Sequence, residues 1–292
     1  MSESVCGVVV TYNRKDLLRE CLEAVTSQSR APDTVLVVDN ASTDGSREMV
    51  REEFPAVELL ALPENEGSAG GFHEGMKAAV ARGVDWLWVM DDDTIPAADA
   101  LEKLLDAPVH LDGLPAPSLL ASKILWTDGR LHPMNWPSPN LLDVDHFVEG
   151  VERTLVPIRA NTFPSLLVRR EAVERHGLPR KGFWIWSDDI DFTQRILRHE
   201  AGYLVPQSVA VHKTKTAHAP WQGGPRFYYA VRNGLFIIRG DTLGPKEKVG
   251  WLLLVCSQIQ RFLTYERFKP WALAAVLRGL RDGLFKQRPA HS

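Results

Sequence analysis

Two short acidic runs hold the residues best able to do chemistry. In "WLWVMDDDTIP", residues 86–96, an apolar run ends in Asp91, Asp92 and Asp93. In "WSDDID", residues 186–191, Asp188, Asp189 and Asp191 follow Trp184 and Trp186. Carboxylates this close repel, and desolvating them is costly unless a cation compensates. Three arrangements account for residues 91–93. One is a solvated turn in which an aspartate caps the helix of "PAADALEKLL". A calcium loop is the second, but its spaced Asp/Asn ligands and terminal Glu are missing. The third is Mg²⁺ or Mn²⁺ carrying a diphosphate, which suits hard oxygen ligands at the end of a parallel strand. On a helix, Asp188 and Asp191 share a face and Asp189 points elsewhere. One such carboxylate simply favours a helix N-terminus. Three of them behind "GFWIW" suggest a ligand platform, although tryptophans also serve as core. His212, in "VAVHK", ends a strand. A lone histidine is usually structural, but a metal held by two aspartates leaves room for one imidazole.

The elements that position these residues follow from the patterning. "VCGVVVTYN", "TVLVVDN", "VELLAL" and "VDWLWVM" are continuous apolar runs, as in buried parallel strands. Helical spacing separates them, so the first hundred residues predict a doubly wound parallel sheet. Ligands bind such sheets beyond the carboxyl ends of the strands. Asp39 ends the second strand, where it can accept from a ribose hydroxyl or a base edge. The turn after the first strand, "TYNRKD", lacks the glycines of a dinucleotide fingerprint, which argues against NAD and FAD. "ENEGSAGGF" instead brings backbone, at Gly70 and Gly71, close to a ligand before entering a helix. Further strands are predicted at "LLASKILW", at the start of "FPSLLVRREAVERHG" and at "YLVPQSVAVHK". "WSDDIDFTQRILRHEAG" predicts a helix with Ser187 at its N-cap and Gly202 beyond its end. Residues 107–160 are proline-rich and otherwise irregular. "RFYYAVRNGLFIIRG", 246–265 and 270–285 are helical.

The 292 residues suffice for one large domain or two modest ones. A net charge of −3 gives no support for nucleic acid as a partner. Cys6, Cys21 and Cys256 are few and widely spaced, and Cys6 and Cys21 read as buried thiols. With no zinc spacing and no signal-peptide pattern, a reduced, cytoplasmic setting is expected. The longest apolar stretch, "VGWLLLVCSQI", is too short for a bilayer, which takes about 20 residues.

Together "VVVTYNR", "VLVVDNASTDGS", "NEGSAGGFHEGM", "WVMDDDTIP" and "FWIWSDDIDFTQRI" resemble the inverting nucleotide-sugar glycosyltransferases of family two, with the GT-A fold. Within the family, "DDD", "W-S-D-D-I-D-F" and "V-x-H" are most similar to bacterial galactofuranosyltransferases and rhamnosyltransferases. The resemblance implies an α/β fold with a mostly parallel central sheet. It implies a catalytic domain over 1–225, with a nucleotide-sugar half (1–110) and an acceptor half (111–225), and a helical region over 226–292. It places Thr11, Tyr12, Arg14, Asp39 and Asn65 in the nucleotide pocket, with Gly70, Gly71 and Asp92 beside them. Asp91 and Asp93 become the metal-diphosphate carboxylates, His212 a third ligand, Asp189 the base, and Trp184, Trp186 and Asp188 the acceptor platform. Some relatives place the acid directly after the tryptophan, where this chain has Ser187, so Asp188 stays open as the alternative base. The implied cofactor is Mn²⁺ or Mg²⁺, the donor a UDP- or dTDP-linked sugar, and the acceptor a glycan or lipid-linked glycan. Two rivals remain: a non-catalytic sugar-nucleotide-binding or scaffold protein on the same fold, and a nucleotidyltransferase, whose basic Gly-rich loop "VTYNRKD" does not supply.

From Arg261 to Ser292 seven Lys/Arg face two Asp/Glu, and Leu273, Leu277, Leu280 and Leu284 share a helical face. This predicts either helices packed on the catalytic domain or on a second subunit, or a basic amphipathic surface resting on anionic lipid at the inner face of a membrane.

Overall fold

The computed structural model describes residues 3–107, 113–216 and 220–290. The first half alternates strand and helix as the apolar runs require: β1 (Val5–Thr11), α1 (Lys15–Thr26), β2 (Thr34–Asp39), α2 (Ser46–Glu53), β3 (Glu58–Ala61), α3 (Gly67–Ala81) and β4 (Trp86–Asp91). There follow β5 (Thr94–Pro96), α4 (Ala100–Asp106), β6 (Pro117–Leu125), β7 (Ser138–Pro139), α5 (Val144–Glu152), β8 (Val156–Ala160), β9 (Leu166–Arg169) and α6 (Arg170–His176). The chain closes with α7 (Asp188–Leu197), β10 (Ala201–His212), α8 (Phe227–Arg239), α9 (Pro245–Tyr265) and α10 (Pro270–Phe285).

One sheet runs in the order β3-β2-β1-β4-β9-β6-β10-β8-β7, with β5 paired to β10. β1 to β4 are mutually parallel, and β9 enters antiparallel between β4 and β6. β1 is apolar throughout because both its faces are covered. Val5 and Val9 join the core under α1, while Cys6, Val8 and Val10 join the core under α3. Trp86, Trp88 and Met90 of β4 alternate with Leu87 and Val89 in the same way. Cys6 and Cys21 are buried free thiols, as expected.

Two registers fix the site. β1 pairs Thr11 with Asp39 and Val10 with Asp91, which aligns three strand ends at one edge. β10 pairs His212 with Thr94, which carries the imidazole 119 positions forward in sequence to sit beside Asp93.

Three expectations shift. The helix of α3 begins at Gly67, so Gly70 and Gly71 lie inside it rather than in a turn before it. Gly202 lies within β10 rather than between helix and strand. Ser187 occupies the N-cap position of α7, but its backbone is left-handed (φ 62°) and its side chain makes no capping bond. In the irregular middle, β7, α5 and β8 form.

The C-terminal helices pack through small residues, not through the leucine stripe. Ala272, Val276, Gly279 and Gly283 of α10 are buried, and Gly279 and Gly283 lie against Tyr228, Val231 and Leu235 of α8. Leu273, Leu277 and Leu284 are exposed, and only Leu280 is half-buried. No helix among the described residues is long and apolar enough to cross a membrane.

Candidate active site

At the strand ends, Asp91, Asp93 and His212 each offer a ligand atom, all within 4.8 Å of one another. Asp93 Oδ1 lies 3.0 Å from His212 Nε2, an ion pair when the imidazole is protonated. Once that proton leaves, the two atoms face one point, which suits a shared cation. His212 Nδ1 lies 2.8 Å from Asn135 Oδ1, and the Asn135 amide nitrogen donates to Thr162 Oγ1. That orientation makes Nδ1 a donor, so Nε2, facing Asp93, is the nitrogen that would ligate a metal once it gives up its proton. His132 packs against His212 with ring centroids 4.9 Å apart and planes tilted by 33°.

The cluster is short of positive charge. Arg14 Nη1 reaches Asp92 at 3.2 Å and Asp93 at 2.5 Å. Even so, burial and then the charge of Asp93 push Asp91 up to about 6. Burial, only partly offset by Arg14, pushes Asp92 up to about 7. Asp93 goes the other way: burial raises it, but His212 and Arg14 outweigh burial and hold it low. A divalent cation bound here would relieve the imbalance, and a buried oxygen-plus-imidazole donor set fits Mn²⁺ or Mg²⁺.

Several residues expected at the nucleotide are committed to protein partners. The buried Thr11 hydroxyl donates to Asp92 Oδ2, which also accepts from the Tyr12 amide at 3.3 Å. Asp92 therefore ties the end of β1 to β4. Asp39 is fully buried, paired with Arg47 and accepting from the Ser42 amide. The close approach at Gly70 and Gly71 is to protein as well: a Cβ on Gly71 would stand 2.5 Å from Val10 Cγ1, and one on Gly70 would strike Glu66. Gly71 lets α3 lie on β1, and Gly70 leaves room for the Glu66 side chain. Asn65 Oδ1 accepts from the Gly67 amide, and Asn40, not singled out from sequence, holds the same turn through Glu66 N and Gly67 O. Tyr12, 45% exposed, and the outer part of Arg14 remain free to face a ligand. Asn65 also lines a cavity of about 360 Å³ with Glu64, Glu66, Lys181, Gly182 and Trp184.

The second acidic run comes to the same edge. Asp188 and Asp191 are buried, and Asp189 is half-buried at the first turn of α7. Burial, then the charge of Asp91, pushes Asp189 up to about 7, against hydrogen bonds from the Ile190 amide and its own. Burial, then Asp189, pushes Asp188 well above the usual range, and its Oδ2 is buried without a partner. Asp191 is instead an anchor: Arg180 Nε and Arg288 Nη2 bind its two oxygens at 2.9 and 2.7 Å, with Arg195 at 3.7 Å. Arg288 comes from the C-terminal tail, whose Pro289 carbonyl accepts from Arg180. Sequence gave no sign of this clamp.

The tryptophans divide. Trp184 is 40% exposed, whereas Trp186 is half-buried against the core of the C-terminal helices. Trp184, Trp186 and Ser187 all have positive φ, at 67°, 65° and 62°. Such non-glycine conformations cost about 1–3 kcal/mol each and persist only where surroundings enforce them.

Residues 6–175 match the family described as glycosyl transferase family 2. The chain belongs to that family. Among its relatives, the galactofuranosyltransferase GlfT1 of Mycobacterium tuberculosis is 31% identical over 266 residues, 86% of this chain and 88% of that protein. GlfT1 of Mycolicibacterium smegmatis is 32% identical over 202 residues, 68% of this chain and 66% of that one. The N-acetylglucosaminyl-diphospho-decaprenol L-rhamnosyltransferase of M. tuberculosis is 25% identical over 73% of this chain and 76% of its own. Of the solved structures, Staphylococcus aureus TarS 1-349 superposes with a TM-score of 0.63 over 96% of this chain and 80% of its own, at 17% identity. The mannosyltransferase PcManGT of Pyrobaculum calidifontis, in complex with GDP-Man and Mn²⁺, gives 0.60 over 94% and 74%, at 20% identity. These place this family 2 glycosyltransferase on the GT-A fold, as the motif resemblance implied.

Proposed function

We propose that this glycosyltransferase moves a hexose, galactofuranose or rhamnose, from a UDP- or dTDP-linked donor to a glycan or lipid-linked acceptor, with inversion and with a divalent metal. The observation that carries the reading is the meeting of two acidic clusters: Asp91, Asp93 and His212 converge on one point, and the charge of Asp91 reaches Asp189. Asp91, Asp93 and His212 would hold Mn²⁺ or Mg²⁺, which supplies Lewis-acid stabilisation of the departing diphosphate. Asp189 takes the proton of an acceptor hydroxyl as that oxygen bonds to the anomeric carbon. The bond from that carbon to the diphosphate oxygen breaks in the same displacement, so the configuration inverts and the nucleoside diphosphate leaves. One carboxylate suffices, unlike the two of a glycosidase. A carboxyl near 7 is matched to proton transfer at neutral pH. Trp184, exposed beside the cavity, offers the acceptor sugar a stacking face. The remaining nucleotide contacts are assigned to Tyr12, Arg14, Asn65 and the backbone ends of β1, β2 and α3.

The acceptor is assigned to a membrane surface at the cytoplasmic face, with the enzyme peripheral. Leu253, Leu277 and Phe285 are 65%, 64% and 82% exposed on α9 and α10, among exposed Lys269, Arg278, Arg281 and Lys286. Apolar side chains ringed by cations are what anionic headgroups bind.

The test is a panel of nucleotide sugars with Mn²⁺ or Mg²⁺, reading nucleoside diphosphate released and sugar transferred. Release from a UDP- or dTDP-hexose supports the reading. Tight binding without turnover of any donor would make the chain a sugar-nucleotide-binding protein. Pyrophosphate release from a nucleoside triphosphate would make it a nucleotidyltransferase.

A further inference from the structure

The loop that delivers Asp189 is held in an unfavourable conformation by side chains from the C-terminal helices, Asn233 above all. Trp184 has φ 67° and ψ −60°, and the Ile185 amide bonds back to the Phe183 carbonyl at 2.8 Å. This is a γ-turn of the positive-φ hand, a rare and strained geometry. Trp186 and Ser187 follow with left-handed φ, and α7 starts at the next residue. Four consecutive residues, 184–187, thus include three in a region that L-residues avoid, just before the base.

Asn233 of α8 is fully buried, and its side-chain nitrogen donates to the carbonyls of Phe183, Ile185 and Trp186 at 3.0, 3.0 and 2.8 Å. Its amide oxygen accepts from Arg232 Nε, and Arg232 Nη2 donates to the carbonyls of Gly182 and Phe183. The opposite side of the loop meets α3, where the Ala69 amide donates to the Trp184 carbonyl. Gly67 stands there with φ 74°, and any Cβ would run into that carbonyl. Buried carbonyls must be paired, and here the two N–H groups of one side-chain amide meet three of them.

We infer that Asn233 is a positioning residue for transfer: it holds residues 183–186 in the strained path that sets Trp184 at the acceptor and Asp189 at the hydroxyl. The C-terminal helices are then part of the active site. The inference rests on the proposed transferase reading only for its kinetic arm.

Asn233→Ala removes the donors without touching Asp91, Asp93, His212 or Asp189. Misplacing a base by about 1 Å costs on the order of 10²-fold, so kcat should fall by about that much while affinity for the nucleoside diphosphate, by calorimetry, holds within about threefold. The second arm is independent of activity. With 5-fluorotryptophan incorporated, the ¹⁹F signals assigned to Trp184 and Trp186 should move or broaden, and the other seven should not. The third is rescue: glycine adopts positive φ without strain, so Ser187→Gly in the Asn233→Ala background should recover at least tenfold of the lost rate. If Asn233→Ala does not fold, Asn233→Ser, which keeps one donor, replaces it in all three arms. Unmoved Trp184 and Trp186 signals would overturn the inference, as would a loss of nucleotide affinity equal to the loss of rate, or no rescue by glycine. Signals moved in Asn233→Ala, together with a wild type that transfers no sugar, would retain the clamp and discard the transferase reading.

Discussion

Asp189→Asn should make the protein inactive and more stable, and the gain in stability should depend on pH. The carboxyl is raised from 3.8 to about 7, chiefly by burial. Below pH 3.8 it is protonated in both folded and unfolded chains, and the fold bears no cost. Between 3.8 and about 7 the unfolded chain ionises while the folded one keeps its proton, so the cost grows. Above about 7 the folded chain carries the full penalty. At about 1.4 kcal/mol per pH unit the penalty reaches roughly 4 kcal/mol. Water reaches this half-buried group, and asparagine loses a charge-assisted bond from the Ile190 amide, so about 2 kcal/mol should be recovered. One kcal/mol moves the midpoint of a chain this size by about 2–4 °C, so Asp189→Asn should melt roughly 4–8 °C above wild type at pH 8. At pH 4 the two should coincide. The assay is thermal unfolding by circular dichroism in EDTA, stepped from pH 4 to 8.5, beside transfer rates that fall by about 10²–10⁴-fold. Burial and then the charge of Asp189 raise Asp188 as well, so Asp188→Asn should also raise the midpoint at pH 8, and the two variants are told apart by their transfer rates. Equal midpoints for Asp189→Asn and wild type at pH 8, or a gain of the same size at pH 4, would refute the reasoning.

Asp93→Ala should make nucleotide affinity, measured by calorimetry, insensitive to EDTA, and an EDTA effect equal to that of wild type would remove Asp93 from the metal site. Burial lowers the pKa of His212, but Asp93 and Asp91 outweigh it and raise it overall, so Mn²⁺ binding should release more protons at pH 6 than at pH 8; calorimetry in buffers of different ionisation heat reads this, and pH-independent release would show that the imidazole is not displaced from its proton. Arg288→Ala should destabilise by about 1–3 kcal/mol in urea, as Asp191 loses one of two close charged partners, and an unchanged midpoint would show the tail clamp to be idle. The enzyme should sediment with vesicles of anionic phospholipid at low salt and not at high salt, and Leu277→Asp should abolish this; vesicle binding unchanged by Leu277→Asp would place the contact elsewhere.

Local order made the first hundred residues readable. β1, β2 and β4 are sandwiched between two cores, so their apolar runs are unbroken, and each ends where its polar residues are wanted. β8 was hidden because "VPIRA" contains a proline and an arginine that ordinarily exclude a strand. Arg159 is tolerated there because Glu247 and the carbonyls of Gln194 and Thr242 take its guanidinium. The acidic residues of the candidate site were legible because charge clustering is a local property. Their supports were not: Asn135 reaches His212 across 77 positions, and Asn233 reaches the tryptophan loop across 47 to 50. An asparagine in a helix or loop looks the same whether it faces water or three carbonyls. Ser187 was placed correctly at the start of α7, yet its left-handed backbone leaves its side chain out of the cap.

The tail clamp also sets an order of birth. Arg288 lies 97 positions after Asp191, and at about 5–20 residues per second roughly 5–20 s of synthesis separate them. Through that interval Asp191 has Arg180 and Arg195 but not its closest partner. The strand ends that would hold the nucleotide are complete by His212, while the helix bearing Asp189 is still seated by only part of its ion network. A nascent chain can therefore bring Asp91, Asp93 and His212 together before Asp189 is locked in place. Until Arg288 is made, the helix bearing Asp189 lacks the nearest of its three arginine partners.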